Sequence, residues 1–447
     1  VKPSLLAALV LVAILIAIYG PGIGKGFVKD DVVWVGANHV TSWSDMRALL
    51  VRTDGFYRPV VAATFAVDRA IYGLEPFGFG VTNLLLLMLG AAALGCLGAA
   101  LGLRAGAAIV AAGLWALNFH AVNMAVLWLS GRTALCVAIA ALLSAAAVVK
   151  RRPVAAGVAA LIAMFAKEEA VMLPVILSGW AWVLSRQGTR GKESVHEIVD
   201  RTWPIWVAAA LYLAARAQTS AMTPMTATAP YQFVLAPGAL AGNALEYLDR
   251  SCTFSASVLV IAHVVAWRRP VTTASLRRVF VLGAIWFMGT FALTIFVPNR
   301  SSLYALLPSA APALITAFLL QQLWDSTNPV AHRRLVAATM VLPVLLLPVY
   351  WSRNVRWTEI AELSSDTFSA IRRVVRERPD VDRLLFRDDR STRRSFANTY
   401  DGLLPEAVRL AAGRDIKAET VASENERTNA VVIALREGGV VVESPRP

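Results

Sequence analysis

Charge is scarce in this sequence. Asp, Glu, Lys and Arg make up 16% of its 447 residues, against about 25% in soluble globular domains. Meanwhile 57% of the residues are hydrophobic and the mean hydropathy is +0.57. That shortage excludes an ordinary soluble enzyme and a disordered protein alike. Cysteine is scarcer still: Cys96, Cys136 and Cys252 lie in or beside apolar stretches without CxxC spacing, which argues against a disulfide framework and a zinc site. Five scattered histidines and no HExxH motif give a His/Cys metal centre no support. The residues demand no cofactor, and a divalent ion is left open. No repeat recurs at a fixed period, and the tail has no tandem helical repeats.

What the chain has in quantity is long apolar runs. A helix of about 20 apolar residues crosses the hydrocarbon core, because no water is present there to satisfy open backbone groups. Such runs predict about eleven spans, near 4–20, 79–103, 105–119, 133–149, 154–166, 170–185, 203–217, 252–267, 279–297, 302–321 and 335–351. The first resembles a signal peptide, but Tyr19-Gly20-Pro21-Gly22 offers no A-x-A cleavage site, which predicts a retained anchor. The expected fold class is an all-α polytopic membrane protein, with residues 1–351 as its membrane domain. Beyond Trp351 the composition changes: 352–447 hold 17 basic and 16 acidic residues, whereas 1–351 hold 26 and 14. An amphipathic helix over 352–378, strands at 383–387 and 430–435 and a helical stretch over 398–412 predict a small α/β C-terminal appendage.

The basic surplus sets the orientation. With a cytoplasmic N-terminus, Arg104, Lys150 to Arg152, Arg186 to Arg201, Arg268 with Arg269, Arg277 with Arg278, and His332 to Arg334 all fall inside, as the positive-inside rule asks. No nucleic-acid partner is needed to explain them. The first loop, 21–78, then lies outside with 120–132, 167–169, 218–251, 298–301 and the appendage. Within that loop, 59–73 predicts an interfacial helix and 43–51 another. The expected localisation is a multi-pass inner (plasma) membrane protein with an extracytoplasmic site; Ala-, Val- and Arg-rich usage fits a GC-rich bacterial source.

Asp30 and Asp31 follow the first span by about ten residues. A carboxylate ringed by Phe27, Val33 and Trp34 at a membrane surface is partly desolvated and suits a general base on a hydroxyl. A solvated turn or helix cap is the plainer alternative. The preceding GPGIGKG run has the glycines of a phosphate loop but lacks its four-residue gap, its Ser/Thr and a preceding strand, so flexibility after a span is the better expectation. Four cations, Arg58, Arg132, Lys167 and Arg300, stand at outer ends of predicted helices. Such groups are paired or serve a ligand, and their convergence makes an anion site, whereas snorkelling to lipid headgroups explains any one of them singly. Acids beside cations on the outer side suit sugar transfer from a lipid phosphate: cations help the phosphate leave, and the acceptor hydroxyl needs one base. Glycoside hydrolysis needs two carboxylates flanking one bond.

The order of several short words resembles a family. Asp30-Asp31, Tyr57-Arg58-Pro59-Val60, Gly73 to Phe79 with Asn83, Asn118-Phe119-His120, Trp128 to Arg132, Lys167-Glu168 with Pro174, and Arg300 with Tyr304 and Pro308 are similar to the GT-C membrane glycosyltransferases. The likeness is strongest to bacterial relatives of the transmembrane-and-tetratricopeptide protein O-mannosyltransferases and covers about residues 1–325. It implies Asp30 as catalytic base with Asp31 as its partner, and Arg58, Arg132, Lys167 and Arg300 either near the donor phosphate or holding the outer loops. It also implies a polyprenyl-phosphate-sugar donor. His120, Tyr57, Glu168 and Tyr304 form a second tier. The chain departs from the family at Gly80 and Leu87, where relatives commonly carry His, at Phe119 and Asn123, where they carry Pro and Glu, and in lacking the repeats. The expected function is a mannosyltransferase-like, inverting glycosyltransferase of the cell envelope. The acceptor hydroxyl is left open among protein, lipid and polysaccharide, and a flippase of lipid-linked saccharides or a non-catalytic scaffold is the alternative.

Overall fold

The computed structural model describes residues 3–51, 55–186, 195–223, 225–266, 274–388, 394–421, 431–436 and 439–443. After α1 (Pro3–Tyr19), the first loop carries α2 (Asp31–Ala37), α3 (Trp43–Ala48) and α4 (Pro59–Tyr72). The bundle continues with α5 (Pro76–Ala100), α6 (Ala105–Ala116), the short α7 (Asn123–Leu127), α8 (Arg132–Val149), α9 (Pro153–Ala166), α10 (Leu173–Ser185), α11 (Val195–Ala217), α12 (Pro237–Ala266) and α13 (Ala274–Phe291). It ends with α14 (Leu303–Leu306), α15 (Ala310–Asp325) and α16 (Pro329–Leu345). The predicted spans all overlap helices, but 302–321 is broken between α14 and α15, 335–351 runs past the end of α16 and 279–297 past the end of α13. Among the described residues, eight stretches are long and apolar enough to cross a membrane, and Ala105–Ala116 and Pro153–Ala166 are shorter apolar helices. The protein is a multi-pass membrane protein.

Two helices start much earlier than the hydropathy reading, for one reason. Helix α12 starts at Pro237 and α11 at Val195, well before the apolar runs at 252 and 203, because charged residues end a hydrophobic run without ending a helix. Proline sets other breaks. Pro308 separates α14 from α15, and the carbonyls left there are taken by buried indoles: Trp115 donates to Leu306 O and Trp286 to Leu307 O, both at 2.9 Å. These bonds tie α6 and α13 to the break.

Loops that the sequence assigns to one side do meet. Asp31 bonds Ser130, Arg58 bonds Glu168, and Arg300 bonds Asn243. At the other end Arg104 pairs with Asp325, and Arg151 with Glu197. Arg268 and Arg269 lie outside the described residues.

The appendage begins with α17 (Leu347–Glu377), followed by β1 (Arg383–Asp388), α18 (Phe396–Tyr400), α19 (Leu404–Ala412), β2 (Lys417–Thr420), β3 (Val431–Arg436) and β4 (Gly439–Glu443). The strand order is β2-β1-β3-β4, with β1 parallel to β2 and β3, and β4 antiparallel to β3. Helix α17 is anchored in the bundle: Tyr350 donates to Leu117 O, Asn354 accepts from Asn123 and donates to Ile18 O, and Trp357 stacks on Trp128. The appendage also holds the first loop. Ser364 donates to Phe27 O at 2.6 Å, and Lys29 N–H donates to Thr399 O at 2.7 Å.

The glycine-rich run is explained by close packing, which corrects the expectation of flexibility. Gly24 has φ +60°, and a Cβ there would lie 2.3 Å from Phe77 Cα; a Cβ on Gly26 would lie 2.0 Å from Ala361 O. The segment passes between α5 and α17 where no side chain fits.

Candidate active site

The Asp30-Asp31 pair is split by the start of α2. Asp31 turns inward with no exposed surface and accepts three hydrogen bonds, from Val28 N–H at 3.0 Å, Ser130 N–H at 2.7 Å and Ser130 Oγ at 2.5 Å. Burial pushes its carboxyl up to about 7, against the downward pull of the Ser130 and Val28 donors. Asp30 is half-buried and turns the other way, into a cavity of about 260 Å³ with Trp34, Phe56, Arg58 and Leu403. Its carboxylate accepts no side-chain hydrogen bond among the described residues. Burial raises its pKa above the ordinary 3.8, while Arg58 and Lys29 pull it down.

Phe56 also borders a second cavity of about 280 Å³, lined by Lys167, Glu168, Arg216, Tyr231 and Tyr304 among others. Arg58 links the two: its Nε and NH2 hold Glu168 at 2.9 and 2.6 Å, and its guanidinium lies 4.1 Å from the Phe56 ring centre. Burial alone would lower the Arg58 pKa, but the Glu168 carboxylate reverses the sign and holds it above the ordinary value. Lys167 is buried, 3.0 Å from Glu169 and 4.6 Å from the Tyr304 ring centre. The Tyr231 hydroxyl pKa is raised by burial and next by the charge of Asp30.

The other residues singled out in the sequence lie elsewhere. Arg132 has 0% exposure and every arm engaged: Asp68 at 2.7 Å, Asn83 Oδ1 at 3.0 Å, Phe79 O at 3.1 Å and Thr64 at 3.5 Å, with the Phe65 ring 4.1 Å away. Arg300 is exposed, bonds Asn243 Oδ1 at 2.7 Å and lies 3.5 Å from Glu246. Tyr57 is buried and donates to Leu50 O at 2.8 Å. His120 lines a third cavity, where burial and then Arg353 push its pKa below the ordinary value. The four cations therefore do not converge on one point: Arg58 and Lys167 share a cluster, and Arg132 and Arg300 stand apart. Gly80 has a physical reason, since a Cβ there would lie 2.6 Å from Gly24 N, and Asn123 is committed to Asn354.

Arg216 and Tyr231 were not singled out in the sequence. Arg216 carries the same signal as the four cations, a charge in the last turn of a predicted span; Tyr231 carries none. Among the described residues, no group of three or more His, Cys, Asp or Glu side chains is placed to hold a metal ion.

No protein-family model matches the chain, and no curated protein matches it in sequence. Solved structures do. The archaeal oligosaccharyltransferase AglB from Archaeoglobus fulgidus, in complex with an inhibitory peptide and a dolichol-phosphate, superposes with a TM-score of 0.54 at 12% identity over 94% of this chain. This chain spans 64% of that one. ArnT from Cupriavidus metallidurans, bound to undecaprenyl phosphate, gives 0.53 at 13% identity and covers 97% of both chains. Both are GT-C membrane glycosyltransferases, and at such identities the likeness is one of fold. The polytopic helical fold with a small C-terminal sheet expected from the sequence is the fold observed.

Proposed function

We propose that the protein is an inverting glycosyltransferase that moves a sugar from a polyprenyl phosphate to a hydroxyl acceptor on the extracytoplasmic face. The observation that carries this reading is Asp30: a half-buried carboxylate without a side-chain hydrogen bond among the described residues, sharing its cavity with Arg58 and next to the cavity where Lys167, Arg216 and Tyr304 stand with Glu168 and Glu169, in a fold shared with enzymes solved with lipid phosphates. Asp30 takes the acceptor proton as the hydroxyl oxygen attacks the sugar carbon, and the phosphate leaves toward Arg58, Lys167 and Arg216. Asp31 positions α2 against Ser130, and Arg132 braces the loop from within.

The transporter alternative asks for ionisable groups near mid-membrane. Here Asp31, Asp68, Arg132, Lys167 and Glu169 are buried in the loops, in the loop helix α4 or at the start of a spanning helix, which favours chemistry at the surface. Purified protein incubated with a panel of polyprenyl-phosphate sugars tests the reading by release of the polyprenyl phosphate; no release from any donor, with any hydroxyl acceptor, sinks it.

The orientation has its own test. Eleven spans from a cytoplasmic N-terminus leave the appendage outside, so a reporter active only in the cytoplasm, fused after Pro447, should be silent. A strong signal would invert the map and move Asp30 to the cytoplasmic face.

A further inference from the structure

The third cavity reaches Lys29, the residue before Asp30. It measures about 530 Å³ and is lined by Lys29, Arg250, Arg353 and Arg356 together with His120, Glu246 and Asp249. The two carboxylates belong to α12 and are already engaged: Glu246 pairs with Arg250 and with Arg300 at 3.5 Å, and Asp249 accepts from Thr253 at 2.6 Å. Lys29 is shared with Asp401 at 3.3 Å. The α17 wall differs. Arg353 and Arg356 are three residues apart, hence neighbours on one helix face, and neither has a carboxylate within ion-pair distance among the described residues. Arg353 is held in place by donating to Phe119 O at 3.2 Å, with the ring centre 5.0 Å away. Arg356 is exposed, and no hydrogen bond or ion pair holds it among the described residues.

The lining carries four cations, Lys29, Arg250, Arg353 and Arg356, against two carboxylates, and the two guanidiniums on α17 form a fork suited to phosphate oxygens. The volume holds a headgroup. We infer that this cavity seats the phosphate of the acceptor: the substrate that receives the sugar is a hydroxyl-bearing phosphate ester, with its phosphate on Arg353 and Arg356 and its hydroxyl directed at Asp30. The inference rests on the transferase reading and deepens it by naming the acceptor class. The reacting bonds are those already given. The acceptor O–H proton goes to Asp30, the new C–O bond forms, and the sugar–phosphate bond breaks on the donor side, so the acceptor phosphate is a handle and takes no part in bond exchange. Its chemistry is shared by a phospholipid headgroup such as phosphatidylglycerol and by a water-soluble glycerol phosphate unit.

The test uses the full chain in phosphatidylcholine nanodiscs. Binding of glycerol 1-phosphate is compared with binding of glycerol by calorimetry, and retention of phosphatidylglycerol over phosphatidylcholine is measured by native mass spectrometry. The expected result is phosphate-dependent binding in at least one arm, and the arm that binds identifies the source as soluble or lipid. Arg356→Gln should weaken that binding about tenfold, the scale of one charged hydrogen bond, and Arg356→Glu should abolish it. Arg356 is exposed, so both variants should extract as monodisperse protein, which their elution profile checks. Binding that is equal for glycerol and glycerol phosphate with no lipid preference overturns the inference, as does binding untouched by Arg356→Glu or lost only in Arg58→Gln. Donor turnover is read separately: phosphate-dependent binding with no release of polyprenyl phosphate from any donor defeats the transferase reading, and release without phosphate-dependent binding defeats only the inference.

Discussion

Asp30→Asn should lower sugar transfer by roughly 10²–10⁴-fold, the range that a positioned general base contributes, while donor binding stays close to that of the unsubstituted protein. The side chain keeps its volume and its place at the start of α2, where its main chain already accepts from Val33 and Trp34 at 3.1 and 2.9 Å, so the loop should be undisturbed. What is lost is basicity. The unsubstituted enzyme should show an acid limb in kcat/KM: burial raises the folded carboxyl above 3.8, protonation removes the base, and the rate falls as pH drops through that raised value. The limb should be missing from the residual activity of Asp30→Asn. Asp31→Asn should behave differently. Its amide would face three donors with one fewer acceptor, leaving a buried N–H or O–H unsatisfied, and the yield of folded protein should drop with activity. Wild-type transfer by Asp30→Asn, Asp31→Asn and the double variant would remove the proposed mechanism.

Arg132→Met should cost about 3–5 kcal/mol of stability, the usual effect of removing one partner from a buried ion pair. Asp68 would be left 3% exposed without its counter-charge, keeping one bond from Thr82 at 2.8 Å, and Asn83 and the Phe79 carbonyl would lose their donor. The reading is the unfolding temperature in detergent, which should fall sharply. Adding Asp68→Asn to Arg132→Met should recover part of the loss, because the uncompensated charge is the costly element. If Arg132→Met unfolds at the normal temperature but no longer binds a polyprenyl phosphate, Arg132 is a phosphate ligand and the brace assigned to it is wrong.

Hydropathy made the membrane helices legible, since a helix must hide its backbone and about 20 apolar residues suffice. The stretches 383–387 and 430–435 read correctly as strands because they alternate or run apolar. The strands at 417–420 and 439–443 were missed: Lys417, Glu419 and Glu443 interrupt the pattern, and such short edge strands gain their partners from the sheet itself. At the site, residue type pointed to Asp30, Asp31 and the cations, but their division of labour depends on partners far away in the chain. Arg58 meets Glu168 across 110 residues and Asp31 meets Ser130 across 99. Residue type does not separate Asp30 from Asp31; the step of about 100° between neighbours at the start of α2 does, by sending the two side chains to different sides. Arg353 and Arg356 fall within the predicted amphipathic helix over 352–378, whose pattern does not tell what either face meets; the bundle supplies that, through Phe119 beside Arg353.

The contact between Ser364 and Phe27 spans 337 residues, and that separation is also a delay. At about 5–20 residues per second of synthesis, the first loop waits roughly 17–70 s for the segment that fixes it. During that interval the ribosome has delivered both carboxylates and nearly every membrane helix, yet Lys29 lacks the Thr399 carbonyl and the Arg353–Arg356 wall has not been made. A nascent chain therefore carries the chemical groups without their arrangement. The finished site appears late and all at once, when the last hundred or so residues arrive.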